Sequence, residues 1–131
     1  LERDLLKHQV AGLLRKQVEG INVVSGDLAV SAVDLLREAG DWLKNDLKSC
    51  VVILGTILEG RPTMLVMATK DIVEQGFHAG NVVKEATKAM GGGGGGRPET
   101  AQAGGRDPRK LMDAVRVAEE EVRRWRRNVP E

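Results

Sequence analysis

"CVVILGTILEGRPTMLVMAT", residues 50–69, sets two apolar, β-branched runs on either side of a four-residue break. Residues 50–58 and 63–69 have the length and composition of buried strands, and "EGRP" between them is short enough to force an antiparallel hairpin. Upstream, "INVV" at 21–24 is a third such run, ended by Ser25-Gly26-Asp27. Between it and Cys50 lies "SAVDLLREAGDWLKNDL", where Val33, Leu36, Leu43 and Leu47 share a helical face with Leu35, Ala39 and Trp42 beside it. Ser31 followed by Asp34 resembles a capping box at its start. Strand-helix-strand order from Ile21 to Leu58 favours a right-handed parallel crossover, and the hairpin adds an antiparallel step. The predicted fold is α/β, a mixed sheet of about four to five strands packed with helices.

The flanks extend this plan. Residues 1–19 carry Leu6, Val10, Leu13 and Leu14 at helical spacing, with Gly20 as a stop, which predicts the end of a helical subdomain over 1–20. The chain begins at Leu1 without an initiator methionine, as a piece of a larger protein would. After the hairpin, a helical turn from Asp71 is expected to stop at Gly76, and Asn81 to cap a helix running to Met90. "AQAGG" at 101–105 reads as a short strand, and Asp107-Pro108 as an N-cap followed by proline at the first helical position. Leu111, Val115, Ala118, Val122 and Trp125 then form an apolar seam. On the outer face Glu119 with Arg123, and Glu120 with Arg124, stand four apart. That charge run is an ordinary solvated helix face, and Arg123, Arg124, Arg126 and Arg127 form only a weak basic cluster.

Composition bounds the function. At 131 residues, 41% hydrophobic and 30% charged, the chain suits one compact domain, residues 21–131, with a helical appendage. A net charge of +1 gives no overall pull on polyanions. The lone Cys50 has no disulfide partner and fits a reducing, cytoplasmic setting. No run is long enough to span a membrane. His8 and His78 stand apart from any metal-ligand spacing, no nucleophile motif appears, and no catalytic residue, metal or cofactor is expected. Trp42, Phe77 and Trp125 are too few for a base-stacking platform, so any RNA would be held through backbone and shape.

The remaining feature is "MGGGGGGRPETAQAGG", residues 90–105. Glycine composition alone reads as a slack linker. Against that, the run has no polar spacer, ends in Arg97-Pro98, and is followed by Gly104-Gly105. It satisfies G-x-G-x-x-G trivially, but a helix precedes it and an extended segment follows, the reverse of a dinucleotide site. Each ordered glycine costs about 0.5 to 1 kcal/mol relative to alanine, so six in a fixed loop imply a geometry that side chains forbid. Amides of Gly91, Gly92, Gly93, Gly94, Gly95 and Gly96 that point the same way would make a concave anion site, with Arg97 at its mouth. Such a loop reads phosphates, not bases.

Residues 76–111, "GFHAGNVVKEATKAMGGGGGGRPETAQAGGRDPRKL", closely resemble the C-terminal DHH-associated domain of bacterial alanyl-tRNA synthetase, called C-Ala. "HAG", the glycine run ending in "GRP", and "AQAGG" before a D-P helix start occur together and in order. More loosely the resemblance extends over residues 21–127; Glu99-Thr100 departs from the family's habit of an acidic residue followed by an apolar one. The resemblance implies a domain without its own catalysis, whose parent is an alanine-tRNA ligase. It implies binding of the elbow of alanine-specific tRNA, which helps one tRNA reach the aminoacylation and editing sites of upstream domains. In some members the domain also supports homodimers. Residue by residue, Gly91 to Gly96 and Arg97 become the phosphate-facing loop, and His78, Ala79 and Gly80 with Ala101, Gln102, Ala103, Gly104 and Gly105 its flanks.

His78 reads equally as a turn histidine donating to a backbone carbonyl or as an RNA contact. Gln102 reads equally as a donor to a sugar hydroxyl or as a partner for the glycine backbone. Two other functions stand beside tRNA binding. One is a dimerisation or structural module built on the N-terminal helix and the Leu111 to Trp125 seam. The other is the nucleic-acid-binding half of a DHH-type phosphoesterase or of a free-standing editing protein.

Overall fold

A computed structural model of the chain describes residues 2–128; Leu1, expected in the first helix, and residues 129–131, expected at the end of the domain, lie outside the described residues. Three hairpins and one parallel step organise the chain. Helix α1 (Glu2–Ala11) leads into strands β1 (Leu14–Val18) and β2 (Ile21–Asp27); helix α2 (Val33–Leu47) crosses to strands β3 (Val51–Leu58) and β4 (Arg61–Ala68). The short helix α3 (Lys70–Glu74) and helix α4 (Ala79–Thr87) follow, then strands β5 (Gly93–Gly96) and β6 (Thr100–Gly104) and the terminal helix α5 (Leu111–Asn128). The six strands lie in the order β1-β2-β3-β4-β6-β5. Only β2 and β3 pair in parallel, Val23 opposite Val51, as the strand-helix-strand order predicts. The mixed α/β sheet is thus borne out, with one strand more than expected.

Strands β1 and β5 fall where the sequence predicts a helix and a loop, and β1 is the first correction. Residues 1–19 do not form one helix; α1 stops at Ala11, and Leu14–Val18 pair antiparallel with Ile21–Ser25. The turn between them, Glu19-Gly20, has φ of 51° and 83°, and the turn between β3 and β4, Glu59-Gly60, has 50° and 78°. Both carry the double positive φ of the turn whose twist matches a two-residue hairpin. Leu14 is 59% exposed and only Val18 of the strand is buried, so helical spacing of leucines here reflects no helix face.

Both faces of the sheet are packed. On one, Val24, Val52, Leu54, Leu65 and Met67 meet Leu6 and Val10 of α1 and Leu35, Leu36, Ala39 and Leu43 of α2. On the other, Val23, Val51, Ile53, Met64, Val66, Ala101 and Ala103 meet Ile72, Phe77, α4 and the Leu111, Val115, Ala118, Val122 seam of α5. Central β3 and β4 are covered on both sides, which is why they read as near-continuous apolar runs. The α1–α2 layer stops at β4: no residue of β5 or β6 belongs to its cluster. That leaves one face of the last two strands outside the apolar packing, reached from α2 only through Arg37 at Gln102.

Local details differ from expectation in three places. Helix α2 is capped at Ala32 with no side-chain hydrogen bond, so Ser31 and Asp34 form no capping box. Helix α4 starts two residues before Asn81; His78 is its cap, and the helix tightens into a 3-10 turn, Lys88–Met90, before Gly91 at φ 72°. The α5 ion pairs are three apart, not four: Glu120 with Arg123 and Glu121 with Arg124. Glu119 instead turns inward, accepting from the Ser25 hydroxyl at 2.6 Å and pairing with Lys16. It is a buried charge made tolerable by two partners. The cap at Asp107 is as predicted, its carboxylate accepting from the Arg109 amide at 3.0 Å.

Candidate nucleic-acid interface

The glycine run is not a loop. Gly93–Gly96 form the edge strand β5, antiparallel to β6, with Gly93 opposite Gly104, Gly94 opposite Ala103, Gly95 opposite Gln102 and Gly96 opposite Ala101. The tight turn is closed by the Arg97 amide donating to the Thr100 carbonyl at 3.0 Å. Antiparallel pairs alternate between bonded and non-bonded positions, so Gly95 and Gly93 direct their peptide groups to β6 while Gly96 and Gly94 turn theirs away. Successive amides therefore point in opposite directions, and the concave anion nest expected from the sequence is absent.

What the strand offers is bare surface, and only two of its glycines lack a packing reason. A Cβ on Gly92 would lie 2.0 Å from the Gly104 carbonyl oxygen, one on Gly94 2.1 Å from Ala103 Cβ, and one on Gly96 2.6 Å from Ala101 Cβ. Gly91 needs its left-handed φ, and Gly105 would drive a Cβ to 2.4 Å from Met90 Cβ. At Gly93 and Gly95 a Cβ would meet nothing within 4 Å, and φ is ordinary at both. Alternation along a strand puts 93 and 95 on one face and 92, 94 and 96 on the other. Gly93 and Gly95 thus share the uncovered face with Gln102 and Gly104 of β6.

A groove of about 440 Å3 runs over this face, lined by Arg37, Gly95, Gly96, Arg97, Thr100, Ala101 and Gln102. Arg97 has its main chain fixed on both sides, its amide to Thr100 and its carbonyl accepting from Gly80 at 3.2 Å. Its side chain is 81% exposed, loosely paired with Glu99 at 3.9 Å. Arg37, on the outer surface of α2, donates through Nε and Nη2 to Gln102 Oε1 at 3.0 and 2.7 Å. Sequence reasoning missed Arg37, because nothing local distinguishes it from any other exposed helical arginine; only the sheet order puts α2 beside β6. Gln102 is therefore bound neither to the glycine backbone nor free, but held by an arginine.

His78 sits on the other flank. Its Nδ1 accepts from the Asn81 amide at 3.2 Å, so it caps α4 as an acceptor, whereas one of its two sequence readings has it donating to a carbonyl. The first amides of α4 are spent on the turn: Ala79 donates to the Pro98 carbonyl at 2.9 Å and Gly80 to Arg97. A Cβ on Gly80 would lie 2.5 Å from Gly96 O, so helix and strand meet backbone to backbone. "HAG", "GGGGGGRP" and "AQAGG" are thus one structural unit, brought together at the sheet edge. Among the described residues no cluster of His, Cys, Asp or Glu could hold a metal, and no helix is long and apolar enough to cross a membrane.

A family profile described as "DHHA1 domain" matches residues 10–124. The chain is 46% identical over 120 residues to an alanine–tRNA ligase of Acetivibrio thermocellus, and 44% identical over 117 residues to that of Pelotomaculum thermopropionicum. These alignments cover 90% and 88% of this chain but only 14% and 13% of the relatives, so the chain spans about one-seventh of their length. Among solved structures, the C-Ala domain of Aquifex aeolicus alanyl-tRNA synthetase matches 84% of this chain and 98% of its own, with a TM-score of 0.75 at 27% identity. A DHH-domain protein described as a member of the s1p family of ribosomal proteins shares the fold over 99% of this chain and 31% of its own, with a TM-score of 0.69 at 15% identity. With the profile running from the end of α1 almost to the end of α5, and so across the whole sheet, the chain belongs to the DHHA1 domain family.

Proposed function

We propose that the chain is the tRNA-binding accessory domain of an alanine–tRNA ligase, holding the elbow of alanine-specific tRNA while upstream domains of the same protein aminoacylate it and edit mischarged product. In this reading it contributes no catalytic residue and needs no cofactor or metal. The relatives and the C-Ala likeness support the parent enzyme. The observation that carries the binding role is the pair Gly93 and Gly95, bare where packing does not ask for it. A strand glycine gives up about 0.5 to 1 kcal/mol relative to alanine, and here the loss serves no neighbour. A flat backbone face without Cβ atoms lets a sugar-phosphate chain approach closely, and the exposed Arg97 beside it supplies charge. Contacts of this kind fix position without reading sequence.

The test is affinity for an alanine-accepting tRNA transcript at two salt concentrations, for the chain and for Gly95→Val and Arg97→Ala. Gly95→Val should weaken binding at both. Arg97→Ala should weaken it and reduce the slope of log affinity against log salt by roughly one, the counterion share of one phosphate contact. Unchanged affinity in both variants refutes the assignment.

A further inference from the structure

We infer that Arg37 is a positioning residue that makes Gln102 a donor-only reader of a phosphodiester lying on the glycine strand. The inference rests on the tRNA-binding reading and names what the floor of the groove recognises. A free glutamine side chain can present either its carbonyl oxygen or its NH2 group, and the two ends suit opposite ligands. A guanidinium has five N–H donors and no acceptor, so only the carbonyl end of Gln102 can face Arg37. Both Nε and Nη2 hold that oxygen, at 3.0 and 2.7 Å, across two elements 65 residues apart in sequence. The NH2 end is thereby turned away from Arg37, and it donates to no partner among the described residues.

Opposite Gln102 across the ladder stands Gly95, where no side chain intervenes. The ligand group that matches two fixed donors and no acceptor is one that only accepts, and phosphodiester oxygens are of that kind. Base edges and sugar hydroxyls can also accept from an NH2 group, but they mix donors with acceptors, whereas a phosphodiester matches a donor-only side chain at every exposed oxygen. Arg37 forms no ion pair among the described residues, so its charge stays available to favour an anion nearby.

Gln102→Met removes the donors without changing charge or length. It should lower affinity for an alanine-accepting tRNA transcript roughly tenfold, the worth of one hydrogen bond to a charged group, with the melting temperature and salt slope unchanged. Arg37→Met should lose at least as much, Arg37→Lys should recover most of that loss, and the double variant Arg37→Met with Gln102→Met should bind no worse than Arg37→Met alone. In NMR spectra, the Gln102 side-chain amide should shift when tRNA is added to the chain and fail to shift in Arg37→Met. Wild-type affinity in Gln102→Met, or losses from the two methionine variants that add in full, overturn the inference. If Gly95→Val still weakens binding in that case, the role of the strand survives; if the unaltered chain does not bind the transcript, both fall.

Discussion

Replacing Gly93 and Gly95 together by alanine should stabilise the fold while harming what the fold does. At both positions φ is ordinary and a Cβ has open space around it, whereas at Gly94 a Cβ would lie 2.1 Å from Ala103 Cβ. The alanines restrict the unfolded chain at no cost in the folded strand, a gain of about 0.5 to 1 kcal/mol each. For a domain of this size the pair should raise the melting temperature by about 3 to 8 °C. Gly94→Ala is the matched control, with the same change in composition and the opposite sign, since overpacking of this kind costs about 1 to 3 kcal/mol. Thermal and urea unfolding give the stability arm, and tRNA retention by the same samples gives the functional arm. A fall in melting temperature for the double variant would show that the 93 and 95 face is occupied after all. A rise with undiminished tRNA binding would separate the bare strand from recognition and remove the reason for its glycines.

Two further outcomes follow from the interior and its edge. Glu119→Ala strips partners from a Ser25 hydroxyl that is 2% exposed and from Lys16, and should cost roughly 1 to 3 kcal/mol in urea unfolding; a change below 0.5 would mean that water replaces the carboxylate freely. At Asp71 burial alone would raise the carboxyl, but the Ser49 and Thr69 hydroxyls and nearby backbone amides outweigh it and hold the group below its ordinary value of 3.8. A depressed carboxylate contributes stability above its ordinary pKa and loses it as pH falls through the folded value. The difference in unfolding midpoint between the chain and Asp71→Asn should thus hold steady from neutral pH to about pH 5 and shrink at more acid pH. A difference independent of pH down to complete acid unfolding would contradict it.

The two hairpins with Glu-Gly turns show what the sequence made legible and what it hid. They use the same dipeptide turn, Glu-Gly, with nearly the same dihedrals. The one at 59–60 stands out because apolar runs flank it; the one at 19–20 does not, because "LRKQV" is an edge strand whose residues face water on most sides. The repeated dipeptide was the available signal. Strand β5 was illegible for a different reason. Period-two alternation is written in side chains, and a run of identical glycines carries none; the alternation appears only in what Ala101 and Ala103 of the neighbouring strand would do to a Cβ. Arg37 could not be found at all before the sheet order was known, whereas "HAG", the glycines and "AQAGG" are joined in advance through the family resemblance that their order carries.

For the proposed tRNA-binding role, a strand in place of the expected loop changes how recognition would work. The slack linker that glycine composition alone suggests would have to be ordered on binding, at about 1 to 2 kcal/mol of backbone entropy per residue. Strand β5 has that ordering done in advance, and without any side chain of its own. Its entry is tied by the Gly92 amide to the Thr87 carbonyl at 3.0 Å, its length by the ladder to β6, and its exit by Arg97 to Thr100 and by Ala79 and Gly80 to the turn carbonyls. All of these holds are main-chain hydrogen bonds, so every side-chain position along the strand stays vacant. Five of the neighbouring glycines, Gly91, Gly92, Gly94, Gly96 and Gly105, are what allow the backbone to be gripped so closely. Gly93 and Gly95 are what the grip presents, and a rigid bare surface can meet a phosphate chain without first paying to become one.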